Sequence, residues 1–263
     1  MNPSAILKQA VIDLGLAGRS VCIHSSMSAF GDKAYSPDLI IDTFLSADCT
    51  IMCPTFTYGF TCRPPEALRP RQNGCDYGNL DEWDELLDVH YSQRGNTLSK
   101  AGMGMFPASI LERTGRLRGA HPINSFTAIG PKAEQLIAPQ SWIDVYAPFR
   151  ALAEENGAVL LIGVDLTKMT LIHAAEVMAG RKPFIRWAKN ASDNVQVAVT
   201  GGGCSGGFGK LEGTLSPLRQ ETRVGGVHLG YLSGGRDDGC GQGRYPEGRS
   251  DHSLLQPYLR TMS

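Results

Sequence analysis

The stretch "GAVLLIGVDLTKMTLIHAAE", residues 157–176, joins an unbroken apolar run to a segment with helical spacing. The run "AVLLIGV" has the length and make-up of a strand buried on both faces. Behind it, Met169, Leu171, Ile172, Ala174 and Ala175 fill a helix interior. His173 and Glu176 stand three apart among them, which makes them neighbours on one helix face. A helix that follows the carboxyl end of a core strand lies where open α/β sheets bind their ligands. The polar pair is therefore the first candidate for chemistry.

The same alternation extends upstream. Ser4 precedes "AILKQAVIDLGL", a helix that Gly15 and Gly18 can end, and "SVCIH" (20–24) reads as a strand. "SPDLIIDTFL" (36–45) is a helix with Ser36 as cap and Pro37 at its first position. "CTIMCPTF" (49–56) is a strand stopped at Pro54, so strand, helix and strand imply a parallel crossover. Helices over 105–115, 131–137 and 147–157 and a strand over 125–130 continue the pattern. The fold class is α/β, a mostly parallel central sheet with helices on both faces, in one domain over 1–263.

Two regions break the rhythm. Residues 59–104, rich in Pro, Gly, Arg and Asp, read as a long loop or insertion over the sheet edge, with "DEWDELLD" (81–88) a solvated helical turn. The portion from 200 to 263 is loop-rich, because 16 of the 31 glycines fall between 201 and 248. "NVQVAVT" (194–200) is an edge-type strand and "FGKLEGTLSPL" holds one short helix. Beyond about Arg219 the sequence assigns no element, and the tail reads as loop-rich or partly disordered.

Composition narrows the function classes. A formal net charge of −1 without a basic tract argues against nucleic-acid binding. No apolar run approaches the ~20 residues of a membrane span, and the N-terminal segment lacks the pattern of a signal peptide. The seven cysteines, at 22, 49, 53, 62, 75, 204 and 240, show neither a C-x-x-C pair nor zinc-ligand spacing. Cys22, Cys49 and Cys53 read as small buried hydrophobes, and the compartment as reducing cytoplasm.

Three further stretches carry polar groups at strand ends. "VCIHSSMSAFG" (21–31) ends in His24, Ser25, Ser26 and Ser28, which suit a phosphate or amide-rich ligand, or a loop whose serines bond their own backbone. "CPTFTYGF" (53–60) offers Thr55, Thr57 and Tyr58 to a pocket, or merely alternates on a strand. "GAHPINSFTAIG" (119–130) by itself is a turn at His121-Pro122 entering a strand. His173 is equally open, as a packed core residue or as a base. A metal site on His173 and Glu176, with Asp165 the nearest third ligand, lacks a second such helix. His90, His228 and His252 read as solvent-facing.

In order, "HSSMSAFG", "PTFTY", "NTLSKAGMG", "HPINSFTAIG" and "LLIGVDLTKMTLIHAAEVMAG" resemble the aminoglycoside 3-N-acetyltransferase family, a group unrelated in fold to the GNAT acetyltransferases. The resemblance spans roughly residues 5–190. It implies acetyl-CoA-dependent transfer to a primary amine, with His173 as catalytic base and Glu176 as its partner. It implies coenzyme contacts at His24, Ser25, Ser26, Ser125, Phe126 and Thr170; from the residues themselves no metal is expected, and Thr57 and Tyr58 are the candidates for the acceptor side. The chemistry agrees, since a protonated amine cannot attack a thioester and histidine suits proton transfer near neutral pH. A carboxylate can hold its tautomer, and Thr170 or a backbone N–H can face the developing oxyanion.

The chain also departs from the pattern. Family members that modify aminoglycosides tend to carry acids after the catalytic helix, where "VTGGGCSGGF" (199–208) has none. The insertion at 59–95 is longer than the family implies, and the tail matches weakly. Three functions follow: acetylation of the 3-amino group of a 2-deoxystreptamine aminoglycoside in antibiotic resistance, biosynthetic N-acylation of a less cationic amine, or a non-catalytic CoA-binding relative. The expected partners are a small amine and coenzyme A, with the chain a monomer or homodimer.

Overall fold

Strand Ser20–Ser25 is the centre of the molecule, and the other elements are laid around it. The computed structural model describes residues 2–78, 90–99, 102–189 and 196–233. The chain runs α1 (Pro3–Asp13), β1 (Ser20–Ser25), α2 (Pro37–Ser46), β2 (Thr50–Pro54), α3 (Met105–Leu111), β3 (Leu117–Arg118), β4 (Phe126–Ile129) and α4 (Ala133–Ile137). It continues through α5 (Ala147–Glu154), β5 (Ala158–Ile162), α6 (Leu171–Met178), β6 (Phe184–Lys189), β7 (Gln196–Gly201), α7 (Glu212–Leu215), β8 (Arg219–Val224) and β9 (Val227–Ser233).

Seven strands form one sheet in the order β3-β4-β2-β1-β5-β9-β8, and β6 and β7 form a separate pair. The three apolar runs β2, β1 and β5 are adjacent and parallel, with His24 opposite Leu161 in register. Antiparallel strands extend this trio at both sides, β4 beside β2 and β9 beside β5. Both faces are covered. Val21, Ile23, Leu160 and Ile162 pack with Leu7, Ile40 and Phe106 of α1, α2 and α3. Cys22, Val159 and Leu161 pack on the other face with Leu136, Phe149 and Leu171 of α4, α5 and α6. Burial on both faces is why these strands lack polar alternation. Each fully buried phenylalanine, such as Phe106 or Phe149, contributes about 1.5–3 kcal/mol through removal from water.

Local rules set most boundaries. Ser36 Oγ accepts from Leu39 N at 3.1 Å, and Pro37 opens α2 as expected. At α1 the cap is Asn2 rather than Ser4, because Pro3 fits the first helical position. The helix carrying His173 begins at Leu171, later than its spacing suggests. Leu166–Lys168 forms its own 3-10 turn, which Asp165 caps through Thr167 N. Cys22, Cys49 and Cys53 are buried thiols.

One expectation fails outright. Residues 219–233 are not irregular, since β8 and β9 form a hairpin whose second strand completes the sheet against β5. Its turn is Gly225-Gly226, with φ of 56° and 82°. Two positive φ values are what a two-residue hairpin needs, and Gly-Gly between Val224 and Val227 is its sequence signature. The helix in 208–218 is a single short turn, α7, between two 3-10 turns. In the insertion, the described part of 61–99 holds only loops and one 3-10 turn (Glu66–Leu68), with Thr61 bridged to Ala188 of β6. The run 81–88, His252 and the tail after 233 lie outside the described residues.

Candidate active site

A cleft of about 820 Å³ opens at the carboxyl ends of β1, β2 and β5. Its floor is the His24–Ser28 turn, and α6 with its preceding turn supplies one wall. His173 lies on the first turn of α6 and is 8% exposed. Its Nδ1 is 3.0 Å from Glu176 Oε2, the contact that the three-residue spacing requires. A carboxylate only accepts, so Nδ1 carries the proton and Nε2 carries the lone pair. The Arg181 guanidinium donates to the other carboxylate oxygen of Glu176.

Packing holds this imidazole. Phe208 tilts against it with centroids 4.6 Å apart, and Tyr146 lies nearly parallel at 6.2 Å. Burial pushes the His173 pKa down, and the hydrogen bond and charge of Glu176 oppose that shift. The net lowering keeps the ring neutral near pH 7, the state in which it accepts a proton.

His24, Ser25, Ser26 and Thr170 all line this cleft with His173. Thr170 stands at the cap of α6, and its carbonyl accepts from His173 N at 3.0 Å. Ser26 Oγ and Ser28 Oγ are 3.0 Å apart. Ser25 Oγ is buried with no hydrogen-bond partner among the described residues. An unmet buried hydroxyl costs about 1–3 kcal/mol. Tyr58 stands at the mouth, 46% exposed.

Ser125, Phe126 and Thr57 do not line the cleft. Phe126 is a core side chain between Phe56 and Phe149, at 5.6 and 5.1 Å. Ser125 Oγ donates to Thr55 O and accepts from Arg118 Nε, at 2.8 and 3.0 Å. Thr57 Oγ1 donates to Thr97 O at 2.9 Å. These three build the layer behind the cleft wall, since Phe56 faces the cleft and Phe126 supports it.

Several contributors were not visible in the sequence. Tyr146, Asn124, Gly203, Phe208, Lys168 and Arg186 line the cleft from distant segments. The His121-Pro122 turn explains how the glycine-rich segment is held. His121 Nδ1 accepts from Asn124 N at 2.9 Å, so its Nε2 carries the proton and donates to Thr200 O at 2.6 Å. Asn124 Oδ1 then accepts from Gly202 N at 3.3 Å. These bonds press Gly203 onto His173, where a Cβ would lie 3.0 Å from Nδ1. Any side chain at 203 would need the imidazole to give by a few tenths of an ångström. Gly203→Val should lower kcat by about 10-fold or more, since small displacements of a reacting group cost that much. Unchanged kcat would show that the ring yields freely.

Two buried histidines predict an acid limit on stability. Burial pushes both His24 and His121 from the ordinary 6.5 down to about 4. Between those values the unfolded chain binds the extra protons, so stability present above pH 6.5 is lost as pH falls toward 4. The loss approaches about 3 kcal/mol per histidine once both states are protonated. The melting temperature should fall steadily from pH 7 to 4.5, and a flat profile would contradict the burial assignment.

Among the described residues the cleft lining contains Lys168 and Arg186 but no Asp or Glu. No group of three or more His, Cys, Asp or Glu among them could hold a metal ion. No helix among them is long and apolar enough to cross a membrane.

The sequence model of the aminoglycoside 3-N-acetyltransferase family matches residues 22–204. Aminoglycoside N(3)-acetyltransferase IX of Micromonospora chalcea is 34% identical over 185 residues, covering 66% of this chain and 61% of the relative. Aminoglycoside N(3)-acetyltransferase VIII of Streptomyces fradiae is 33% identical over 172 residues, covering 62% and 56%. The alignments thus span about three-fifths of these relatives' length. The solved AAC-IIIb binary complex with CoASH superposes with a TM-score of 0.71 at 18% identity, over 98% of this chain and 95% of that one. The family match spans the turn at His24–Ser28, the His173–Glu176 pair and Gly203 alike, and the chain belongs to the aminoglycoside 3-N-acetyltransferase family.

Proposed function

We propose that this chain is an acetyl-CoA-dependent N-acetyltransferase that acts on the 3-amino group of a 2-deoxystreptamine aminoglycoside and thereby confers antibiotic resistance. The observation that carries the reading is His173, buried in the cleft wall with Nδ1 3.0 Å from Glu176 Oε2 and a pKa that burial lowers. Acetyl-CoA supplies the acetyl group as a thioester. His173 takes the proton that the amine must lose as its nitrogen bonds the acetyl carbon and the sulfur departs. Glu176 holds the tautomer and stabilises the imidazolium. Thr170 or a backbone N–H stands ready for the oxygen that gains charge. The imidazolium then returns its proton to the departing thiolate or to water.

His24, Ser25, Ser26 and Thr170 form the coenzyme side in this reading, and their shared place in the cleft with His173 supports it. Ser125 and Phe126 act behind the wall, and Tyr58 meets the acceptor at the mouth with Thr57 bracing it. The free thiols of the described cysteines fit a reducing cytoplasm, where acetyl-CoA is at hand.

A second reading, N-acylation of a less cationic amine, is favoured by one observation. The described cleft lining offers two cations and no carboxylate, whereas a polyammonium substrate is drawn to acids. Thiol release from acetyl-CoA, measured against a panel of amines, separates the readings. Rapid release with 2-deoxystreptamine aminoglycosides, and none when the 3-amino group is missing, supports the first. Release only with monoamines supports the second. Coenzyme binding without release to any amine overturns both and leaves a CoA-binding relative.

A further inference from the structure

We propose that Arg181 is a positioning residue of the catalytic base, holding Glu176 in place and opposing the charge that His173 acquires. The inference rests on the reading of His173 as the base, and its observations come from the end of α6 rather than from the cleft.

The helix stops just past the dyad. Gly180 takes φ +98°, with Gly180 N donating to Val177 O at 3.0 Å and Arg181 N to Glu176 O at 2.9 Å. That pair of bonds is the Schellman ending, in which a glycine reverses the chain and the next residue returns over the last turn. The returning residue is Arg181. Its guanidinium reaches the Oε1 side of Glu176 while Oε2 faces His173 Nδ1. The backbone reversal thus delivers the cation to the residue whose other oxygen orients the base. Phe184 backs the guanidinium from β6, 5.8 Å from its centroid.

An exposed pair of this kind contributes little to stability, because water screens it and two long side chains must be ordered. Its geometry has a different consequence. Glu176 keeps a side-chain exposure of only 16% against 45% for Arg181, so the carboxylate sits between a cation at the surface and an imidazole inside. Pinning one oxygen leaves the other aimed at Nδ1. A crevice of about 10 Å³, the room of a single water, lies beside Tyr146, His173, Glu176 and Arg181. A carboxylate released by Arg181 has that crevice to turn into.

Charge works in the same place. Glu176 favours the imidazolium of His173 and Arg181 opposes it. Tyr146 and Tyr58 face this group from other segments as neutral phenols held up by burial. Lys182 borders the crevice, and Lys168, Arg186 and the buried His24 line the cleft. Arg181 is the cation of this set that bonds the dyad directly.

The test is the titration of the His173 imidazole, followed by NMR on histidine-labelled protein and assigned by its loss in His173→Asn. Arg181→Gln should raise that pKa by about 0.3–1 unit and lower kcat by on the order of 10-fold, with KM for acetyl-CoA unchanged. The backbone ending of α6 does not use the side chain, so the variant should fold. Arg181→Lys keeps the charge and should return the titration to near the wild-type value. Adding salt should move the wild-type titration toward the Gln variant, because an exposed charge is screened. A His173 pKa that stays put in Arg181→Gln overturns the proposal, whatever happens to turnover, while a fall in place of the rise supports the pinning of Glu176, whose freed carboxylate would leave Nδ1, and overturns the opposing charge. If wild-type protein acetylates no amine but the titration moves as stated, the positioning role stands and the transferase reading falls.

Discussion

His173→Asn should lower kcat by about 10²–10⁴-fold with little change in acetyl-CoA affinity. The side chain is buried and keeps its place through Phe208 and Tyr146, so asparagine leaves the cleft's outline largely intact. What it removes is the neutral nitrogen that takes the proton. That interaction is realised as the amine attacks, which is why the loss falls on turnover more than on coenzyme binding. The pH profile carries a second signature. Wild-type rate should fall on the acid side as His173 becomes protonated, at a pH below histidine's usual range because burial lowers its pKa. The asparagine variant should lack that limb. Glu176→Gln keeps the shape but loses the charge that stabilises the imidazolium, and should cost less than His173→Asn. Near-normal turnover of His173→Asn across pH would sink the mechanism and leave the pair as packing.

The parts of this molecule that obey local rules were legible in the sequence. Ser36 and Pro37 announced α2, the apolar runs announced β1, β2 and β5, and a spacing of three put His173 against Glu176. The parts set by long-range contact were not. Nothing local tells that Phe126 points into the core while Phe56 points to the cleft, because strand parity depends on which neighbours pair. The glycines at 201–203 read as a missing acidic patch. In the fold, Gly203 answers a steric demand from an imidazole thirty residues earlier in the chain. The hairpin at 219–233 is a different kind of miss, since Val-Gly-Gly-Val was a usable local signal lost in a glycine-rich background.

Arg118→Met should destabilise the protein by about 3 kcal/mol, which for a chain of this size is a fall of about 6–12 °C in melting temperature. Arg118 is 3% exposed. Burial pushes its pKa down, yet among the described residues no carboxylate is one of its hydrogen-bond partners. It is satisfied by oxygens instead: Ser125 Oγ, Gly95 O, Thr55 O, Thr57 Oγ1 and Thr97 O, all at 2.8–3.0 Å. A flat fork with several donors suits that cage, so Arg118→Lys should recover little. Methionine fills much of the volume but strips a donor from each acceptor. Some, such as Thr97 O with Thr57 Oγ1, keep another, which holds the cost to a few kcal/mol. The damage should reach the cleft. The 95–99 segment braces Thr57 and Tyr58, with Tyr58 N donating to Ser99 Oγ at 2.7 Å. KM for the amine should therefore rise in the same variant, while the His173 titration stays where it was. A melting temperature within a degree of wild type would mean that the cage is dispensable and that the wall behind Tyr58 is held by its apolar packing alone.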